Sequence, residues 1–236
     1  MIFMVRPVRA ADIVEIIYTE DHWLLFRQLR QKAKNLVEAL AARGIESVVH
    51  GSVARGDVDF GSDVDIFMPR HLPSDEVELA LSEAGFELMK REIVMATPWH
   101  LPKAHIYLDE DYSATFPLVK PKPLELEFYY FGGAAGLEQL EREVRVPGID
   151  KRLMFIDPTP QGHVEGPVIG REAEVAKRIG VSFDIVRERV QVLTRRADIG
   201  HTGIFLQREL APDESFEAVF KQLTESSPAV KFRVKK

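Results

Sequence analysis

The chain of 236 residues contains no cysteine. Disulfides, thiolate metal sites and cysteine nucleophiles are therefore excluded together. Asparagine is almost missing too, with Asn35 its single copy. That scarcity, beside abundant Glu and Arg, hints at a thermophilic source. No apolar run approaches the roughly eighteen residues that a membrane span requires. The start, Met-Ile-Phe-Met-Val-Arg-Pro-Val-Arg, is interrupted by charge too early to be expected as a signal peptide, so the chain is read as cytoplasmic. No internal repeat and no low-complexity tract is present. Neither sign of charge dominates strongly, the net value being −6. The distribution is uneven, however. Residues 171–236 carry 13 Lys and Arg against 10 Asp and Glu, whereas residues 1–170 carry 18 against 27. A mildly basic C-terminal segment could meet a polyanion. What the chain does have is 45% hydrophobic residues, enough for a packed core.

The densest information lies in Val48-Val-His-Gly-Ser-Val-Ala-Arg-Gly-Asp-Val-Asp-Phe-Gly-Ser-Asp-Val-Asp-Ile-Phe67. An apolar run ends in Gly51-Ser52. Ten residues later Asp63-Val64-Asp65 opens a second apolar run. If residues 63–68 form a strand, alternation puts Asp63 and Asp65 on one face, about 7 Å apart along the chain, with Val64 and Ile66 in a core. Two carboxylates so placed suit hard divalent cations such as Mg²⁺. Gly51 lets backbone approach an anion closely. A turn at Gly61-Ser62 accounts for Asp59, and Asp57 and Asp59 read as solvated loop acids. It does not account for Asp65 inside an apolar run, where an acid is costly to bury without a partner.

These residues resemble the nucleotidyltransferase superfamily, which includes DNA polymerase beta, CCA-adding enzymes and the minimal nucleotidyltransferases. The shared pattern is an apolar residue, Gly-Ser, about ten residues, then Asp-apolar-Asp. Arg55-Gly56 matches the Arg-Gly of small members, while His50 stands where an apolar residue is common. The resemblance covers about the first 130 residues. It implies an α/β (α+β) fold with a mixed sheet flanked by helices. It also implies transfer of a nucleoside monophosphate from a nucleoside triphosphate to a hydroxyl, with pyrophosphate leaving. Asp63 and Asp65 would bind Mg²⁺ or Mn²⁺, Gly51 and Ser52 would hold the triphosphate, and Arg55 would be its charge partner. A third carboxylate is required from a later strand. Leu124-Glu-Leu-Glu-Phe-Tyr129 alternates as a strand would, so Glu127 is expected in that role, with Glu125 as the neighbouring candidate.

Around the motif, periodicity predicts a helix from Thr19 to about Arg43 and another from Pro73 to Ala84. Strands are expected over residues 46–50, 63–68, 86–95, 105–108 and 124–131, with residues 118–122 extended between prolines and a helix at about 137–143. His100 and His105 complete no zinc signature. Lys103, Lys120 and Lys122 could contact phosphates, and Trp99, Tyr129 and Tyr130 could stack a base.

A domain boundary is expected near residue 148, giving a catalytic domain over residues 1–148 and a second domain over residues 149–236. In the latter, Arg171 to Leu193 resembles a helix-turn-helix: Ala176 at the helix crossing, Gly180 in the turn, Ser182 as cap. Its outward residues would include Arg187, Arg189, Arg195 and Arg196. Gly200-His-Thr-Gly203 before Ile204-Phe-Leu206 would be the wing of a small winged-helix-like domain. The tail adds Lys231, Arg233, Lys235 and Lys236. Such a domain could dock RNA or DNA, or a protein acceptor as in antitoxin-linked members. The rival expectation is a DNA-binding regulator whose nucleotidyltransferase domain is inactive or senses nucleotide.

Overall fold

A computed structural model describes residues 6–200 and 203–234. His201, Thr202, Lys235 and Lys236, invoked above for the wing and the basic tail, lie outside the described residues. In chain order the elements are β1 (Val14–Ile17), α1 (Glu20–Ala41), β2 (Val48–His50), α2 (Ser52–Arg55), β3 (Val64–Phe67), α3 (Ser74–Glu83), β4 (Lys90–Met95), β5 (Lys103–Asp109), β6 (Tyr112–Pro117) and α4 (Pro123–Phe131). There follow β7 (Ala134–Ala135), α5 (Leu137–Glu141), β8 (Gly148–Ile149), β9 (Met154–Thr159), β10 (Gly162–Pro167), α6 (Glu172–Ile179), α7 (Phe183–Ile199), β11 (Leu206–Glu209), α8 (Phe216–Ser226) and α9 (Pro228–Val234).

The main sheet has the order β11-β4-β5-β6-β3-β2-β7, and a smaller sheet has the order β1-β10-β9-β8. The main sheet is mixed: β3 pairs parallel to β6 and antiparallel to β2. Thr19 caps α1, and Leu36, Val37 and Leu40 on its inner face are buried against Val64, Ile66 and Ala114 of the sheet. Helical spacing in the sequence produces that stripe. On the opposite face of β3, Phe67 lies flat on Tyr129 of α4, ring centroids 3.4 Å apart. The sheet is therefore covered by helices on both sides.

Two expectations are corrected here. Residues 124–131 are helix, not strand. Pro123 occupies the first helical position, where its missing N–H costs nothing. Glu125 reaches back to accept the Lys122 N–H at 2.8 Å. The apolar residues that looked like one strand face serve two sides: Leu124 and Phe128 pack in a second core with α6 and α7, Leu126 and Tyr129 against Val48 and Phe67. Conversely residues 112–117, to which the sequence reading assigns no element, form β6, a buried central strand.

The second correction concerns organisation. The boundary at residue 148 does not separate two packing units. β1, near the N-terminus, pairs with β10, and β11, near the C-terminus, pairs with β4. Phe216 and Val219 of α8 are buried in the same core as Leu36 and Ile66. Leu206, expected in a wing, instead begins the strand that extends the main sheet. The helix pair itself is as read: Gly180 ends α6 with φ +74° and Ser182 caps α7. Among the described residues, no helix is long and apolar enough to cross a membrane.

Candidate active site

A cavity of about 700 Å³ opens where the Gly51-Ser52 turn, β3, the smaller sheet, α4 and α7 meet. Its size is that of a small-molecule site. Gly51, Ser52, Arg55, Asp63 and Asp65 all line it. So do Tyr18, His22, His50, Phe128, Lys151, His163 and Arg189, which other segments of the chain contribute.

The turn is held firmly. Gly51 takes φ +81°, a region that favours glycine, and its N–H donates to the Gly133 carbonyl at 2.9 Å. Arg55 is buried. Its Nε and Nη2 grip Asp57 at 2.9 and 2.8 Å, and Nη1 donates to the Gly132 carbonyl at 2.5 Å. The guanidinium thus ties the turn to the end of α4 from a position that lines the cavity. Ser52 Oγ donates to Ser62 Oγ at 3.2 Å. Asp59 accepts the Gly61 N–H at 2.9 Å and so shapes the loop, as the turn chemistry suggested.

Asp63 and Asp65 lie two residues apart at the start of β3, with Val64 and Ile66 fully buried on the other face. Neither forms an ion pair among the described residues. Burial and then the neighbouring Asp65 raise the pKa of Asp63, with Asp111 and Asp59 adding repulsion and Lys151 opposing it. Negative charge that Lys151 offsets only in part suits a divalent cation. Among the described residues, however, no group of three His, Asp or Glu is arranged to hold a metal unaided.

The third carboxylate is the main discrepancy. Glu127 does not line the cavity; it points to the start of α7, where its Oε2 accepts both the Ser182 N–H at 3.3 Å and the Ser182 hydroxyl. A negative charge is favourable at a helix N-terminus. Glu125 pairs with the buried Arg233 at 2.6 Å. The residue facing Asp65 across the parallel β3–β6 pair is Ser113, whose hydroxyl donates to Asp65 Oδ1 at 2.7 Å. The alternation of Tyr112, Ala114 and Phe116 with Ser113 and Thr115 was the available signal for this strand.

Behind the acids sits a buried polar layer. Lys103 Nζ donates to the Tyr129 hydroxyl at 3.2 Å, and burial lowers its pKa while Asp65 pulls it back. Burial, with Lys103 as the first repelling cation, holds both His50 and His105 down to about 4, so both are neutral at pH 7. Tyr129, a stacking candidate from sequence, is core, as is its partner Phe67. On the far wall, the Tyr18 hydroxyl and His163 Nδ1 are 2.6 Å apart and the His22 ring stacks on Tyr18 at 3.7 Å.

The arginines of α7 divide. Arg187 is exposed and paired with Asp184 at 3.0 Å, and Arg195 is exposed. Arg189 is not on that outer face. It follows the buried Ile185 by four residues and therefore faces inward, over the Phe128 ring at 4.9 Å.

Residues 27–101 match the nucleotidyltransferase domain family. The chain carries a nucleotidyltransferase domain. The matched segment runs from α1 through the Gly51-Ser52 turn and Asp63-Val64-Asp65 to just beyond the end of β4. It places the protein among phosphorus-transferring enzymes, as the motif led one to expect. It leaves out β5, β6 and everything beyond, so the nucleotidyltransferase family accounts for one wall of the cavity and not for the walls built by α4, α7 and the smaller sheet. Among curated proteins and among solved structures, nothing matches the chain.

Proposed function

We propose that the protein transfers a nucleoside monophosphate from a nucleoside triphosphate to a hydroxyl of RNA or protein, releasing pyrophosphate, with Mg²⁺ or Mn²⁺ as cofactor. The supporting observation is the pair Asp63 and Asp65: two carboxylates in no ion pair among the described residues, at the start of one strand, beside a glycine turn that lines the same cavity. Both oxygen-rich side chains fit a hard cation whose shell is completed by phosphate oxygens and water. Such an ion, when bound, supplies charge stabilisation for phosphoryl displacement. The chain's own residues orient the reactants. Gly51 and Ser52 offer a close backbone wall for the triphosphate, Arg55 keeps that wall in place, and Ser113 fixes the rotamer of Asp65. Arg187, Arg195 and Arg196 on α7 are the proposed contacts for a nucleic-acid acceptor, with phosphate as the recognised group.

The test is incubation of the protein with each α-labelled triphosphate and Mg²⁺ or Mn²⁺ beside pools of RNA and protein. Labelled acceptor with stoichiometric pyrophosphate is the expected result. Full transfer by an Asp63→Asn/Asp65→Asn double variant would overturn the assignment. Ser113 at the position facing Asp65 favours a second reading, in which nucleotide is bound tightly and turned over slowly, as in a sensor. Saturable triphosphate binding without label transfer to any pool would select it.

A further inference from the structure

We infer that Arg189, reaching from α7 into the cavity, is a binding residue for the phosphate tail of the nucleoside triphosphate, with Lys151 as a second cation of the same cavity. The inference rests on the reading of the site as a nucleotidyltransferase centre and extends it to a stretch of the chain that the family match does not reach.

Arg189 is the wrong residue for its surroundings unless an anion joins it. Its guanidinium forms no hydrogen bond and no ion pair among the described residues, and its Nε is buried without a partner. One face lies on the Phe128 ring, which orients the group but does not neutralise it. Burial, then repulsion from Arg196, depresses its pKa to about 10, so it stays charged at neutral pH. Arg189 is partly buried and feels Glu188 through space, yet a charge so placed without a hydrogen-bond partner is still destabilising. A residue that serves packing on the face defined by Ile185 and Val186 would be apolar.

The other cations of the cavity are already engaged. Arg55 holds Asp57 and the Gly132 carbonyl; Arg152 holds Asp150 at 2.5 Å and Glu165 at 2.6 Å. Lys151 lines the cavity without an ion pair among the described residues and senses Asp63 through space. The cavity thus offers unpaired acids from one wall and unpaired cations from another. A triphosphate chelating a divalent cation satisfies both at once. The planar fork of arginine suits phosphate oxygens. Its position is fixed: Glu127 anchors the first turn of α7 through Ser182, and Ile185 and Val186 are buried in the second core.

The experiment uses the full-length protein and four probes: ATP, GTP, CTP and UTP with Mg²⁺, the matching nucleosides, metal-free tripolyphosphate, and single-stranded RNA. Affinity and ligand-free Tm are measured for wild type, Arg189→Met, Arg189→Lys and Asp63→Asn/Asp65→Asn. Arg189→Met should bind the preferred triphosphate and tripolyphosphate about ten- to a hundredfold more weakly, the range for a lost charge-assisted hydrogen bond. Nucleoside binding should be unchanged, and the ligand-free Tm equal or higher, since an unpaired charge has gone. Arg189→Lys should recover some of the affinity. The aspartate double variant should lose the Mg²⁺ dependence yet keep tripolyphosphate binding. Unchanged triphosphate affinity in Arg189→Met would overturn the inference, as would an equal loss for nucleosides or a loss confined to RNA. A lowered ligand-free Tm in both Arg189 variants, with affinity lost only in proportion to unfolding, would show a packing role instead. A wild-type protein that binds no triphosphate would overturn the nucleotidyltransferase reading of the site itself, an outcome distinct from the others.

Discussion

The two sides of the cavity differ in how the sequence specifies them and in the charge they carry. The wall made by the Gly51-Ser52 turn and β3 is written within fifteen residues and is acidic at Asp63 and Asp65. The wall made by α4, α7 and the β8–β9 turn draws on residues 128 to 193 and brings Lys151 and Arg189. Each wall holds its charges at a cost. Asp63 has its pKa raised by burial and by Asp65, and Arg189 has its pKa pushed down by burial and by Arg196. No ion pair joins the two sets among the described residues, and Lys151 offsets Asp63 only in part, through space. Local destabilisation of this kind is common where binding has to occur. On the proposed function, the acidic wall would receive a cation and the basic wall the anion that carries it.

The largest expected effect breaks the acidic wall. Asp63→Asn/Asp65→Asn should lower transfer by at least about a thousandfold, because stabilisation by a bound ion is a matter of several kcal/mol. Stability should move the other way. The folded pKa of Asp63 is raised, so its ionised form disfavours folding above the carboxylate range, and removing that charge should leave the ligand-free Tm equal or higher. Label transfer and thermal melts on one preparation check both signs. A variant that loses activity together with Tm would instead indicate misfolding.

A second test sharpens the comparison by adding an acid where β6 has a hydroxyl. Ser113→Asp places a carboxylate next to Asp65 across the parallel strands. Mn²⁺ affinity should rise about tenfold, since affinity at such sites follows ligand charge. The metal-free protein should lose stability, because two close carboxylates cannot both ionise cheaply. Titration of Mn²⁺ and melts with and without metal give the two readings. No gain in Mn²⁺ affinity would show that position 113 lies outside the cation's reach.

The same contrast explains what was legible in the sequence. Gly51-Ser52 and Asp63-Val64-Asp65 could be read because their spacing has few structural meanings: a glycine at positive φ, then two acids on one face of an otherwise buried strand. Leu124 to Phe128 could not, because period-two alternation also fits a helix buried on two sides, and Pro123 was the better guide. Glu127 therefore moved from the expected metal site to the start of α7. Arg189 was assigned outward on the strength of its charge, although its spacing from Ile185 already placed it inward. The β1–β10 pairing escaped notice because the two strands are separated by more than 140 residues, and no local pattern announces such a pairing.

Acid should weaken the layer behind the acidic wall. His50 and His105 have folded pKa values of about 4 against about 6.5 for an unfolded histidine. Below pH 6.5 the unfolded chain takes up protons that the folded chain refuses. This contribution to stability is therefore complete above pH 6.5 and is lost as pH falls toward 4. Between pH 7 and pH 5 the loss should be about 2 kcal/mol for each histidine. Urea unfolding at the two pH values checks it. His105→Gln should remove its share of the pH dependence without changing the cavity, since His105 bonds to Thr115 at 3.0 Å and does not line the site.

The smallest effect concerns the residue that joins the two walls' supports. Glu127 holds Ser182, the cap of α7, and is not hydrogen-bonded to Asp63 or Asp65. Losing the carboxylate's hydrogen bonds to Ser182 costs about 1 to 2 kcal/mol, with the cap itself left in place. Glu127→Ala should thus lower Tm by a few degrees and loosen the helix that presents Arg189. Its Km for triphosphate should rise severalfold while kcat falls less than about tenfold, because a residue that supports the cap acts on binding geometry and not on the reacting atoms. Glu127→Gln keeps an acceptor for the Ser182 hydroxyl and should lie between Glu127→Ala and wild type. A carboxylate that held the catalytic cation would behave differently: Gln would be as inactive as Ala, and the loss would match that of Asp65→Asn. Kinetics of the three variants side by side separate the alternatives. A kcat for Glu127→Gln a hundredfold or more below wild type, with Tm unchanged, would return Glu127 to the metal site.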